Sequence, residues 1–234
     1  MFPEHHIDVL DKGYVRLVDV LGDDLSIVNA ARVSYDKESD EFSDKDKKLI
    51  DFLIREGHTS PLRHAALTFE VYAPLMVARQ WWKYAVASSQ IDDQNGWNES
   101  SRRYITEKEE FYEPYAWRGK PSNSKQGSEG VLWGQEYEDL AQDLDDYIKE
   151  GLVYYQRALD MNVAPEQARL FLPAYGMYVR WRWTASLEAV LHFLDQRLKK
   201  DAQYEISEYA YAVLDVVKEL FPEVIKAYSY KGEI

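Results

Sequence analysis

Residues 175 to 184 constrain this chain more than any other stretch. Met177, Val179, Trp181 and Trp183 alternate there with Tyr178, Arg180 and Arg182, a period of two that reads as a strand with one polar face. The next residues change to helical spacing. Leu187, Leu191, Leu194 and Leu198 form one stripe, and Ser186, Val190, Phe193 and Arg197 a neighbouring, semi-apolar one. Leu67, Phe69 and Val71 alternate as another strand, and residues 7–21 alternate in places through Val15, Leu17, Val18 and Val20, which predicts a strand or hairpin.

Helix signals surround these strands. Asp23 or Asp24 caps a helix to about Val33, and Ser43 with Asp44 caps a second, carrying Leu49, Ile50, Leu53 and Ile54 and stopped by Gly57. Pro74 opens a helix on which Val77, Ala78, Trp81 and Trp82 recur and Arg79 and Lys83 share one face. Further helices are expected over 135–161, from Pro165 to near Leu172-Pro173, over about 185–199 and over about 202–220. From about 88 to 133 the chain is rich in Ser, Asn, Gly, Pro and acids without sustained periodicity, which reads as a long functional loop. No linker divides the 234 residues. The expectation is an α+β fold, one domain over 1–234, with a small antiparallel sheet packed with long helices.

Charge and composition narrow the function. A formal net charge of −13 argues against a protein that grips nucleic acid backbones. Its cations nevertheless gather locally, at Arg79, Lys83, Arg102 and Arg103 and again at Arg169, Arg180, Arg182 and Arg197, which favours a small phosphorylated substrate. There are no cysteines, so disulfides, thiolate metal sites and cysteine nucleophiles are excluded together. No apolar run approaches the ~20 residues needed to cross a bilayer, and the N-terminus lacks the regions of a signal peptide, so no membrane contact and a cytoplasmic location are expected.

The densest polar stretch is Asn98-Glu99-Ser100-Ser101-Arg102-Arg103-Tyr104. One carboxylate, two hydroxyls, two guanidinium groups and a phenol can surround an anionic, hydrogen-bonding ligand such as a nucleotide. Ser100 and Ser101 have no histidine nearby in sequence to activate them, so they are expected to hydrogen bond. Arg197 reads either as a snorkelling arginine paired with a carboxylate or as an anion or carbonyl clamp. Trp81, Trp82, Trp181 and Trp183 could stack on a planar ring, but their helical and strand spacing favours core positions. The histidines show no metal-ligand spacing, so no metal is expected. No glycine-rich phosphate loop occurs, and phosphate would have to be held by side chains.

The motifs resemble those of the flavin-dependent thymidylate synthases, the ThyX family. They are, in order, Ala31-Arg32-Val33-Ser34, Gly57-His58-Thr59-Ser60-Pro61, Ala78-Arg79-Gln80-Trp81, the 98–104 stretch, Ala168-Arg169-Leu170-Phe171-Leu172-Pro173, and a closing region with His192-Phe193-Leu194, Arg197 and Ala202-Gln203-Tyr204-Glu205-Ile206. The resemblance implies an α+β homotetramer that binds FAD and dUMP at subunit interfaces and makes dTMP. Methylenetetrahydrofolate would supply the carbon, and reduced flavin, recharged by NADPH, the hydride. Such chemistry needs no enzyme thiolate, which suits a chain without cysteine.

Position by position, the resemblance implies Arg197, Ser101 and His58 in the catalytic centre, with Arg197 favouring the ionised pyrimidine. It implies Gln80, Lys83, Glu99, Ser100, Ser101, Arg102, Arg103, Arg169 and Arg197 around dUMP, and Ser34, Ser60, Lys83, Tyr84, Glu99 and His192 around FAD. The family's signature begins Arg-His-Arg, where this chain has Lys83-Tyr84-Ala85, followed by extra residues Ser89 to Trp97; Ser186 and Glu188 stand where Asn and Arg are more usual. Two alternatives follow: a pyrimidine nucleotide enzyme transferring another one-carbon group such as hydroxymethyl, and a non-catalytic dUMP-binding protein.

Overall fold

The computed structural model describes residues 5–87, 96–100, 108–122 and 127–230. In chain order its strands are β1 (His6–Val9), β2 (Gly13–Leu21), β3 (Ala66–Pro74), β4 (Gly96–Glu99), β5 (Arg118–Gly119), β6 (Glu129–Val131) and β7 (Tyr178–Ser186). The helices are α1 (Asp24–Arg32), α2 (Asp44–Arg55), α3 (Leu75–Ala87), α4 (Gln135–Asp160), α5 (Pro165–Ala168), α6 (Leu187–Arg197), α7 (Tyr204–Leu220) and α8 (Pro222–Tyr230). Five strands form one antiparallel sheet in the order β1-β2-β3-β7-β4, and β5 pairs with β6. This is the α+β class expected from the two periodicities. Among the described residues no helix is long and apolar enough to cross a membrane.

The alternation of β3 and β7 sorts their side chains as the sequence predicts. Leu67, Phe69, Val71, Val179, Trp181 and Trp183 are buried on one face. The other face carries Tyr14, Arg16, Glu70, Arg180 and Arg182, where Glu70 accepts from Arg16 at 2.9 Å, Tyr14 at 3.0 Å and Arg182 at 3.4 Å. Burial alone would push the Glu70 carboxyl up, but these donors hold it below its ordinary value. In β2 the pairing slips between Leu17 and Asp19. That bulge explains why Val15 and Leu17 alternate in one phase and Val18 and Val20 in the other.

Helices cover the apolar face because two of them grow directly from strands. α3 leaves the end of β3 and α6 the end of β7, and the Trp81 ring of α3 stacks on Phe193 of α6 at 4.4 Å. Trp181 and Trp183 of β7 meet Trp81 edge-on, both at 5.5 Å. Three of the four tryptophans expected in the core are there, but Trp82 is 49% exposed. It lies about 100° around the helix from Trp81, which turns it away from the sheet. α6 is shorter than expected because Ser186 ends β7 and caps the helix, accepting from the Ala189 N–H at 3.3 Å.

Two stretches depart from the expectations. The region from 88 to 133, expected as loop, contains β4, β5, β6 and a bridge from Phe111 to Met177. These strands are too short to show a period, and β4 gains its ladder only from β7. α8 lies beyond the last expected helix, which ran to about 220. Pro222 opens α8, and its next two N–H groups, of Glu223 and Val224, donate to Asp24 at 3.0 and 3.3 Å. Asp23 caps α1 itself, accepting from the Ser26 N–H at 2.7 Å. The adjacent acids therefore cap two different helices.

Burial pushes the Asp24 carboxyl up to about 6, against the pull of the Glu223 and Val224 donors. Between the ordinary Asp value and about 6 the folded chain binds the proton more tightly than the unfolded one, so this group's contribution to stability falls as pH rises through that window. Asp24→Asn removes the dependence. Urea unfolding of both proteins at about pH 4 and about pH 7 should show the balance shifting toward the variant at the higher pH, by on the order of 3 kcal/mol.

Candidate active site

The burial of Trp81 fixes what the rest of α3 can present. With Val77, Ala78 and Trp81 inward, Arg79 and Lys83 are exposed and Gln80 is half-buried beside them. The Gln80 amide donates to the Met76 carbonyl at 3.4 Å and to the side-chain oxygen of Gln203, the residue preceding α7. Arg197 is half-buried at the end of α6, where the helix dipole favours a cation. Its carbonyl accepts from the Ser207 hydroxyl of α7 at 2.8 Å. α7 therefore links Gln80, through Gln203, with the backbone of Arg197, through Ser207, where α3, α6 and α7 converge.

The first residues of the polar stretch are a strand, not a free loop. Asn98 and Glu99 pair with Arg182 and Trp181 of β7, and the Ser100 N–H donates to the Arg180 carbonyl at 2.8 Å. Alternation puts Trp97 and Glu99 on the same side as α3. Trp97 stacks on Trp181 at 4.9 Å, and with Leu75, Ala78, Arg79, Trp82 and Glu99 it lines a cleft of about 280 Å³. Much of Glu99 is open to solvent, yet partial burial of its carboxyl in this cleft pushes its pKa above the ordinary value. Ser101, Arg102, Arg103 and Tyr104 lie outside the described residues, as do 88–95 of the inserted segment and the side chain of Tyr84.

A second group gathers at the opposite end of α6. Gly57, at a φ of +69°, ends α2 in a left-handed turn in which the Gly57 N–H donates to Ile54 at 3.2 Å and the His58 N–H to Leu53 at 2.8 Å. That turn sets His58 edge-on to Phe52 at 5.6 Å. Ser60 opens a 3₁₀ turn, Ser60–His64, that packs against α1 and α6, and Ser34 lies in another, Val33–Tyr35, directly after α1. Arg63 of the first turn is ion-paired with Glu188, one helical turn before the exposed His192. Ser34, His58, Ser60 and His192 thus all lie on the surface around α1 and the start of α6.

Arg169 is held apart from both groups by its own support. Its Nε donates to the Pro165 carbonyl at 3.3 Å, and its turn, Arg169–Phe171, packs on α4. A Cβ on Gly151 of α4 would stand 2.8 Å from the Phe171 carbonyl, so glycine permits that approach. Arg180 and Arg182 belong to the polar sheet face, Arg180 over the Tyr72 ring at 5.5 Å and Arg182 on Glu70.

Several site residues escape a reading of the sequence one residue at a time. Gln203 and Glu205 were legible only as part of the block 202–206, without roles. Glu205 is buried and paired with Arg118, and it accepts from the Tyr112 hydroxyl at 3.3 Å; Arg118 in turn lies over the Tyr204 ring at 4.2 Å. Burial and the Glu205 charge push the Tyr112 phenol well above its ordinary range. This network ties the segment that returns from the polar stretch to the start of α7. Arg118 and Trp97 carried no periodic signal.

Comparison with known proteins places these elements in one family. A family model described as thymidylate synthase complementing protein matches residues 16–223. The chain is 44% identical over 216 residues to a flavin-dependent thymidylate synthase of Thermus thermophilus, covering 92% of this chain and 75% of that protein. It is 37% identical over 229 residues to one of Thermosipho africanus, covering 97% and 96%. Its fold is similar to crystal structures of a UMP/dUMP methylase, PolB, from Streptomyces cacaoi. The complex with 5-Br UMP aligns at a TM-score of 0.81 and 26% identity, covering 97% of this chain and 98% of that one. The complex with 5-Br dUMP aligns at 0.81 and 29%, covering 97% and 99%.

The cleft makes one electrostatic prediction. Trp97→Ala opens the wall beside Glu99 to water, so the Glu99 carboxyl should move back down toward its ordinary value. A carboxyl-selective NMR titration of the two proteins would detect the change.

Proposed function

Because the chain belongs to the flavin-dependent thymidylate synthase family, we propose that it is an enzyme that methylates dUMP to dTMP, with methylenetetrahydrofolate as carbon donor, FAD as cofactor and NADPH as reductant. The observation that carries this reading is the convergence of Gln80, Gln203 and Arg197 at the junction of α3, α6 and α7. Carbon transfer to C5 of a pyrimidine requires negative charge to be tolerated on the ring. A guanidinium at a half-buried helix end stabilises such charge more strongly than one in open water, and the two side-chain amides offer both donors and acceptors to a uracil edge.

Lys83, Ser100, Ser101, Arg102, Arg103 and Arg169 are assigned to the dUMP phosphate and ribose, and Glu99 to the boundary between nucleotide and flavin. Ser101 serves as a hydrogen-bonding hydroxyl, and His58 stands toward the flavin or folate.

The donor set around α1 and α6 fits a flavin dinucleotide: the hydroxyls of Ser34 and Ser60 and the imidazole of His192 are exposed together on adjoining elements. Lys83, Tyr84 and Glu99 would complete the contacts from α3 and β4. When bound, the flavin supplies the hydride that finishes the methyl group. The residues of the chain bind the pyrimidine, hold it against Arg197 and keep it oriented.

A homotetramer is part of the reading. Arg169 is flanked by Leu170 and Phe171, 83% and 50% exposed, a surface suited to burial against another copy. Sites shared between copies would bring such an arginine to a nucleotide bound on a neighbour.

Two measurements test the proposal. The purified protein should bind FAD with the flavin absorbance band and release the C5 hydrogen of dUMP when given folate and reductant; a protein that does neither defeats the reading. Product mass separates methyl from hydroxymethyl transfer, and a parallel assay with UMP defines the sugar preference. Arg197→Ala should lower turnover by about 10²-fold or more while leaving the circular dichroism spectrum unchanged. An active variant would make that arginine merely structural.

A further inference from the structure

Of the four tryptophans whose spacing left ring stacking and core packing open, only Trp82 is not absorbed by the core. It projects into the cleft between α3 and β4. Trp97, contributed by the residues inserted after Ser88, stands in the same cleft with one face already against Trp181. A carboxylate, Glu99, and a guanidinium, Arg79, line the same cleft. An exposed indole beside a second one, with one acceptor and one donor at the rim, has the composition of sites that take flat heteroaromatic rings.

We propose that Trp82 and Trp97 form a stacking slot for a fused heteroaromatic ring, its N–H edge toward Glu99 and its carbonyl toward Arg79. The volume of about 280 Å³ accommodates one ring system rather than a whole dinucleotide or folate, whose remainder would extend outside. Uracil is not its ligand, because Gln80, Gln203 and Arg197 receive that ring at another junction. Both the isoalloxazine of a flavin and the pterin of a folate have the required N–H and carbonyl edge, so the inference rests on the proposed reaction for its two candidate sources. The raised pKa of Glu99 agrees with the slot, since a carboxyl already short of water loses less on being covered.

The test measures binding of FAD, 5-formyltetrahydrofolate and dUMP separately, by calorimetry, to the full-length protein and to the variants Trp82→Ala, Trp82→Phe, Trp97→Ala and Trp97→Phe. Loss of one stacking surface is expected to weaken one of the two ring compounds by about tenfold or more in each alanine variant. The phenylalanine variants should recover most of it, with dUMP binding unchanged. The compound that responds identifies the ring. Thermal unfolding without ligand accompanies each variant; Trp82, lying outside the core, should leave the midpoint unmoved.

Wild-type affinity for both ring compounds in the alanine variants overturns the slot. So does equal weakening of all three ligands, which would mean a structural role. If the wild-type protein binds dUMP but neither ring compound, the flavin reading fails as well. Binding and turnover intact in the wild type with insensitive variants defeats the slot alone.

Discussion

The packing of the Trp81 ring is the contact on which the rest of the molecule depends. It is stacked on Phe193, met edge-on by Trp181 and Trp183, and approached by Tyr209 at 6.4 Å, so one side chain joins α3, α6, α7 and the sheet. Aromatic groups of this size account for a large share of the apolar surface a core removes from water. Among the described residues the indole N–H groups at 81, 181 and 183 are buried with no hydrogen-bond partner, so ring packing holds them in place. Rotation of α3 about its axis is therefore excluded. The positions of Arg79, Gln80, Trp82 and Lys83 follow.

That rotational constraint reaches the chemistry through covalent continuity. α3 and α6 begin within a residue of β3 and β7, which pair over their full length from Ala66 with Ser186 to Pro74 with Tyr178. Antiparallel pairing sends the two helices off opposite ends of the sheet, and they cross over its apolar face. The end of α6 then approaches the middle of α3, where Arg197 and Gln80 are joined through α7. A polar site at such a junction is held by strands and helices.

What the sequence revealed depended on how local each cause was. The alternation of 177–183 and the stripes of 187–198 identified the sheet face, the helix and the buried Trp181 and Trp183 before any coordinates. Gly57 announced its turn because a left-handed φ has a local signature. Trp82 was misplaced because helical spacing cannot say how wide a buried stripe will be. β4 was missed because its partners lie some eighty residues on, and Arg118 because Glu205 alone gives it meaning. Arg197 stood out on its semi-apolar stripe and Gln80 entered through resemblance, and only the folded chain shows that Gln203 and Ser207 connect them.

Asp24 carries a consequence for how the molecule is made. Its carboxylate, on α1, is buried and committed to the first N–H groups of α8, 199 and 200 residues further on. During synthesis from the N-terminus those donors arrive only after all the described strands have been made. Until they do, α1 must either keep that carboxyl hydrated or leave an unpaired acid in an apolar setting. α8 thus acts as a latch on α1, and its arrival is a condition for closing the fold that the junction of α3, α6 and α7 relies on.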